Sequence, residues 1–306
     1  MARNIEAARY NIMQSKIRTV LGNGSSEFGY GQVLSSRQVR NTPPVDIVTA
    51  QHMTNLKDDV NVSEVNQSNV STTLSTVAAT NQITETVYTE YEAKVDTIYA
   101  NRNLVHPNRV TVESKASSVR SAPWGTSGPI MHEFTVTFPG GYQTTNTSGN
   151  NILSTGTDHR RHFFNAGGEV RFAATAAGGS GVKFNDWVTM LSNMGIVKFN
   201  YTTAIATGSG TSFNLGNFNL TSSYQTVFEK YGSGLYSQNY IRIRAKGAQN
   251  TSVITFLVMF DDASQDDDVN EQVTGTITST ITQLRPTGNY VSVPTPTYQT
   301  IINLSS

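Results

Sequence analysis

His159 and His162 stand three residues apart, an H-x-x-H spacing that could let two imidazoles share a metal ion. Their surroundings argue against it. His132-Glu133 is followed by Val136 where a His-Glu-x-x-His helix needs its second histidine, and Arg160 and Arg161 between the pair repel a cation. A polar loop is expected there. A second candidate is the acidic run Asp261, Asp262, Asp266, Asp267, Asp268 and Glu271. Asp266, Asp268 and Asn270 have the first spacings of a calcium loop, but Glu271 stands where the turn needs glycine and Ile277 where a bidentate glutamate belongs. The run reads as a solvated loop, with an irregular calcium site at Asp266 and Asp268 as the lesser alternative.

Other chemistry is weaker still. The glycines of ATGSGTS and LGNGSS frame turns without the Gly-Lys-Ser/Thr that grips a phosphate. No Gly-x-Ser-x-Gly elbow is present, and the chain has no cysteine to serve as nucleophile, thiolate ligand or disulfide. Neither an enzyme nor a cofactor is expected. Aromatic residues near loops (Trp124, Tyr142, Phe163, Phe164, Tyr231, Tyr236 and Tyr240) could stack on sugars or line a protein interface.

The elements that must carry these residues follow from periodicity. Residues 3–21 form an amphipathic helix with Ile5, Ala8, Ile12, Met13, Ile17, Val20 and Leu21 in its stripe, ended by Gly22 and Gly24. Thr49 caps a second helix with Ala50, Met53, Leu56 and Val60 on one face. A third covers roughly 80–101, where Ile83, Val87, Tyr91, Val95 and Ile98 make a near-heptad stripe that Val70, Leu74 and Val77 could extend upstream. That stripe could pack within the chain or between subunits. His106-Pro107 ends the helical region, residues 110–119 read as strand or linker, and SAPWGTSGP at 121–129 reads as a hinge.

Beyond the hinge the period is two. Phe134, Val136 and Phe138 alternate with Glu133, Thr135 and Thr137, and residues 142–158 read as a polar loop. Residues 169–174 and 197–205 read as strands around a short helix, in which Asn185 caps and Trp187, Met190, Leu191 and Met194 form the buried face. VITFLVMF at 253–260 is apolar on both faces, so it belongs at the centre of its domain. Its neighbour sets Val273, Ile277 and Ile281 against Thr274, Thr276, Thr278, Thr280 and Thr282. The fold class expected is α+β and multidomain: a helical region (1–122), a mainly antiparallel β-sandwich or jelly-roll-like domain with one short helix (123–290), and an extended tail (291–306).

The phrases HFFNAGGEVRF, NDWVTMLSNMGIVKFNYTT and VTGTITSTITQLRPTGNYVSVPTPTYQTIINLSS resemble a family of virion structural proteins from contractile-tailed phages of marine cyanobacteria. The likeness covers most of residues 126–306. It extends more loosely to the first hundred through LGNGSSEFGYGQVLSSRQV and its flanking helices. It implies a structural component of the tail, neck or baseplate region, made in the host cytoplasm and residing in the virion. Its partners would be copies of itself and other virion proteins. A host-surface glycan-binding module is the alternative.

Composition is compatible with that setting. Net charge is zero and only 14% of the 306 residues are charged, so no nucleic-acid partner is expected. No run approaches the ~18 apolar residues of a membrane span, and the N-terminus lacks the apolar core of a secretory signal. The expected interface residues are Ile5, Ile12, Ile17, Val87, Tyr91 and Val95 on the helices, with Thr297, Tyr298, Ile301 and Leu304 in the tail. The tail could lie on its own domain or add to a neighbouring subunit's sheet.

Overall fold

A computed structural model of the chain describes residues 2–79, 81–125, 128–264 and 272–301, with the backbone alone for residues 2–6. In order the elements are α1 (Ala2–Leu21), α2 (Ala50–Ser68), α3 (Glu85–Ala100), β1 (Val110–Arg120), β2 (Ile130–Thr137), β3 (Gln143–Thr145), β4 (Asn151–Leu153) and α4 (Gly156–Asn165). There follow β5 (Glu169–Ala177), α5 (Val182–Met194), β6 (Val197–Phe199), β7 (Ala204–Ala206), β8 (Thr211–Ser212) and β9 (Gln225–Tyr231). Then come β10 (Tyr240–Lys246), β11 (Val253–Asp261), β12 (Thr276–Pro286) and β13 (Thr297–Ile301). The fold is α+β, helical at the N-terminal end and mainly antiparallel β thereafter. Among the described residues no helix is long and apolar enough to cross a membrane.

The chain forms two compact units, and neither is a continuous segment. One gathers Met1–Thr111, Gly140–Gly167 and Arg285–Pro294; the other gathers Val112–Pro139, Gly168–Leu284 and Thr295–Ser306. The expected boundaries, at 122/123 and 290/291, do not fall where the chain passes between these units, and Pro123 itself lies inside the second.

In the first unit, the apolar stripes of three helices meet. Met13, Ile17 and Val20 of α1, Met53, Leu56 and Val60 of α2, and Tyr88, Tyr91, Val95 and Ile98 of α3 are all buried. Arg9 of α1 forms a fork onto Glu92 of α3, with both N–O distances 2.8 Å. Thr49 caps α2 as expected, and His52 answers by accepting the Thr49 N–H at 3.0 Å on Nδ1. Helix α3 does not extend upstream. Thr84 caps it by accepting from the Val87 N–H, and residues 70–79 before it are not helical, with Leu74 and Val77 still buried.

The second unit is a β-sandwich. One sheet has the order β1-β12-β5-β6-β7 and the other β13-β2-β11-β10-β9-β8. Their inner faces meet through aromatic rings: Phe256 of β11 lies 4.9 Å from Phe172 and 5.0 Å from Phe199. Such contacts add roughly 0.5–1.5 kcal/mol each beyond the area they bury. Strand β11 is central as its sequence requires, paired with β10 on one side and β2 on the other. Helix α5 inserts the fully buried Trp187 against Trp124 at 4.8 Å and Phe260 at 6.1 Å.

Three local expectations are corrected. Helix α5 begins at Val182 after Gly181, whose φ of 95° suits glycine, so Asn185 lies inside the helix instead of capping it. Residues 197–205 are a hairpin and not one strand. The side-chain oxygen of Asn200 accepts the N–H groups of Thr202 and Thr203, both at 3.0 Å, and turns the chain between β6 and β7. Residues 142–158 are not a plain loop, since they hold the β3–β4 hairpin and the start of α4.

Candidate interaction surface

The H-x-x-H pair, expected in a polar loop, sits on α4 and is buried. Thr155 and Asp158 form a capping box that starts this helix, with the Thr155 N–H donating to Asp158 at 2.8 Å and the Asp158 N–H returning to Thr155 at 3.1 Å. His159 donates from Nε2 to the Pro294 carbonyl at 2.9 Å and accepts the Gly140 N–H on Nδ1 at 3.3 Å. His162 donates from Nε2 to the Asn23 carbonyl at 2.8 Å and accepts the Tyr142 hydroxyl on Nδ1 at 2.6 Å. A carbonyl can only accept, so each ring is the neutral tautomer protonated on Nε2. Burial lowers His159 to about 4 and His162 to about 3, and Arg161 adds to the effect on His162. Neither ring has a free lone pair for a metal. They are clamps on the main chain.

Asp59 plays a similar part on α2. Its buried carboxylate accepts the N–H groups of Ser35 and Ser36 at 2.9 and 2.8 Å and the Ser36 hydroxyl at 2.5 Å. Burial still raises its pKa, against the pull of these donors. Beside it a cavity of about 430 Å³ is lined by Leu21, Gln32, Val62, Tyr142 and Ser292.

The candidate sugar-stacking residues separate. Trp124, Phe163, Phe164 and Tyr236 are buried, and the Tyr142 hydroxyl is engaged by His162. Tyr240 and Tyr231 lie on the outer face of the six-stranded sheet with rings 5.7 Å apart. Arg242 covers the Tyr240 ring at 4.3 Å, while Tyr231 is 44% exposed. Arg242 also pairs with Glu229 at 3.0 Å, and the Tyr240 hydroxyl donates to Asp261 at 2.7 Å.

The interface candidates also divide. Ile17, Tyr91 and Val95 are wholly buried inside the first unit, so they cannot meet another subunit without unfolding it. The near-heptad stripe of α3 is satisfied by the chain's own helices. Val87 is half-buried, and Ile12 is 58% exposed on α1. The side chain of Ile5, and Leu304, Asp266 and Asp268 altogether, lie outside the described residues. Thr297, Tyr298 and Ile301 belong to β13, which pairs with β2 of its own chain from Thr297 opposite Thr137 to Ile301 opposite Glu133.

That pairing makes β13 the outermost strand of its sheet, as β1 is of the other. The two edges lie together: Thr300 Oγ1 donates to the Ser117 carbonyl at 3.5 Å. They differ in protection. β1 carries an ion pair, Lys115 with Glu113 at 3.2 Å, and Glu113 also receives the Gln283 amide. β13 reads Thr-Tyr-Gln-Thr-Ile, without charge, proline or register shift. At the other ends of the sheets, β7 and β8 are only three and two residues long. Short strands and charges blunt an edge against pairing with another chain. No protein-family model, curated protein or solved structure matches this chain.

Proposed function

We propose that the chain is a structural subunit of a tailed-phage virion, in the tail, neck or baseplate region, assembling with copies of itself and with other virion proteins. The observation that carries this reading is the use made of the reactive side chains. His159, His162 and Asp59 are each saturated by main-chain groups or neighbouring hydroxyls, which locks loops onto helices instead of presenting a site to a substrate. The phrase-level likeness to cyanophage virion proteins supplies the setting. Quantitative mass spectrometry of gradient-purified particles tests it. The chain should co-purify with infectious particles at several copies each, and its confinement to the particle-free fraction would contradict the reading.

A second reading, a host-surface glycan-binding module, rests on the exposed ring of Tyr231 beside Tyr240. Glycan-array binding abolished by Tyr231→Ala would favour it. Absence of binding leaves the structural reading in place.

A further inference from the structure

We infer that Arg18 and Arg37, whose side chains flank Gly149, form a binding site for a tetrahedral oxyanion, a phosphate or sulfate group. The virion reading does not require such a site. Arg18 lies in the last turn of α1 and is only 8% exposed. Among the described residues its guanidinium has no hydrogen-bond or ion-pair partner, and none of its nitrogens is fully enclosed. A cation drawn this far from water is costly unless an opposite charge or acceptors meet it. What stands beside it instead is a second cation, Arg37. Burial, and then that charge, lower the pKa of Arg18, and an anion bound at the pair offsets both.

The two side chains converge on one spot within the first unit. A Cβ on Gly149 would stand 3.6 Å from Nη1 of Arg18 and 3.8 Å from Cδ of Arg37. Apart from its chain neighbours, nothing else comes within 4 Å of that point, and glycine, at φ 85°, puts no side chain there. Asn146 fixes the turn: its side-chain oxygen accepts the N–H groups of Ser148 and Asn150 at 3.0 and 2.9 Å. Arg37 is held in place by its surroundings. Its Nη1 donates to the Leu34 and Ser36 carbonyls and its Nη2 to Asn151, which leaves Nε without a partner among the described residues. Asp59, whose carboxylate feels the Arg37 charge, is committed to Ser35 and Ser36 and forms no ion pair with either arginine.

The chemistry of the pair selects the ligand. Guanidinium groups are planar forks of N–H donors that match the oxygens of phosphate, sulfate and carboxylate. Two positive charges at one spot favour a dianion over a single carboxylate. The N–H groups of Ser148, Gly149 and Asn150 are used inside the turn, so the arginines supply the donors.

Two-dimensional NMR of the full chain tests the site, following the Gly149 amide and the arginine Nε–H signals at low ionic strength. Inorganic phosphate and sulfate should shift these signals with a Kd of about 1 mM or tighter. Acetate and chloride are the controls. Arg18→Gln and Arg37→Gln should each weaken phosphate binding about tenfold or more. Arg37 is exposed, so its substitution reports on the site without disturbing the packing of α1. Arg40→Gln, which removes an exposed pair with Asp46, should leave binding unchanged. Glucose 6-phosphate and glucose 6-sulfate separate the sources of the group. Binding about tenfold tighter than the free ions assigns an ester carried on a sugar, and equal or weaker binding assigns the free ion. Acetate binding as tight as that of phosphate overturns the site. So does an unchanged phosphate affinity in either glutamine variant that keeps the folded spectrum, or the absence of shifts at about ten times the expected Kd.

Discussion

The hydroxyl of Tyr142 donates to Nδ1 of His162 at 2.6 Å, and this contact explains why one half of an apparent metal-binding pair offers no free lone pair. The donated proton occupies the lone pair a metal would need, and the opposite nitrogen is committed to Asn23 at 2.8 Å. Replacing His162 with alanine leaves the Tyr142 hydroxyl and the Asn23 carbonyl without that partner and opens a void. A loss of about 2–4 kcal/mol in urea unfolding is expected. A loss below about 0.5 kcal/mol would contradict the clamp.

Gly31 is part of the same arrangement. Its φ is 74°, and a Cβ there would lie 2.4 Å from His162 Nδ1. Gly31→Ala should therefore cost about 2 kcal/mol or more, through backbone strain and displacement of the imidazole. Denaturant midpoints of the two proteins measure this directly.

Stability should fall on mild acidification. Burial lowers His132 and His159 to about 4 and His162 to about 3, against an unfolded value near 6.5. Between those values the unfolded chain binds protons that the folded chain refuses. Each histidine's contribution is thus complete above about pH 6.5 and is lost as pH falls toward 4, at up to about 1.4 kcal/mol per pH unit per proton. Asp59 and Asp262, raised by burial, act in the opposite sense. The histidine share is isolated by difference: His132→Leu should remove one proton from the slope between pH 6.5 and 4.5. At neutral pH that substitution should cost about 1–3 kcal/mol, because it leaves the buried Ser279 hydroxyl without Nδ1 of His132, 2.8 Å away.

Lys183 and Asp262 form a buried ion pair at 3.1 Å. Lys183→Met alone strands the carboxylate and should destabilise by about 3 kcal/mol, whereas Lys183→Met with Asp262→Leu should recover much of that loss. Thermal unfolding of the three proteins forms the test.

Periodicity made α5 and β2 legible, because each buries one face and shows it in the chain, and β11 was legible as a run apolar on both faces. It could not say what covers a stripe. Tyr91 and Val95 read as interface candidates because a buried face looks the same whether its partner is α1 of the same chain or another subunit. Helix α4 was illegible as a buried helix, since GTDHRRHFFN is mostly polar and its histidines are satisfied by Asn23 and Pro294, each more than a hundred residues away. The Thr155-x-x-Asp158 pattern was the available local signal for its start.

Self-assembly is the centre of this account, and molar mass by light scattering across a concentration series tests it most directly. The full chain of 33.3 kDa should rise to a whole multiple of that mass at high concentration. A single mass of one chain at every concentration would contradict it.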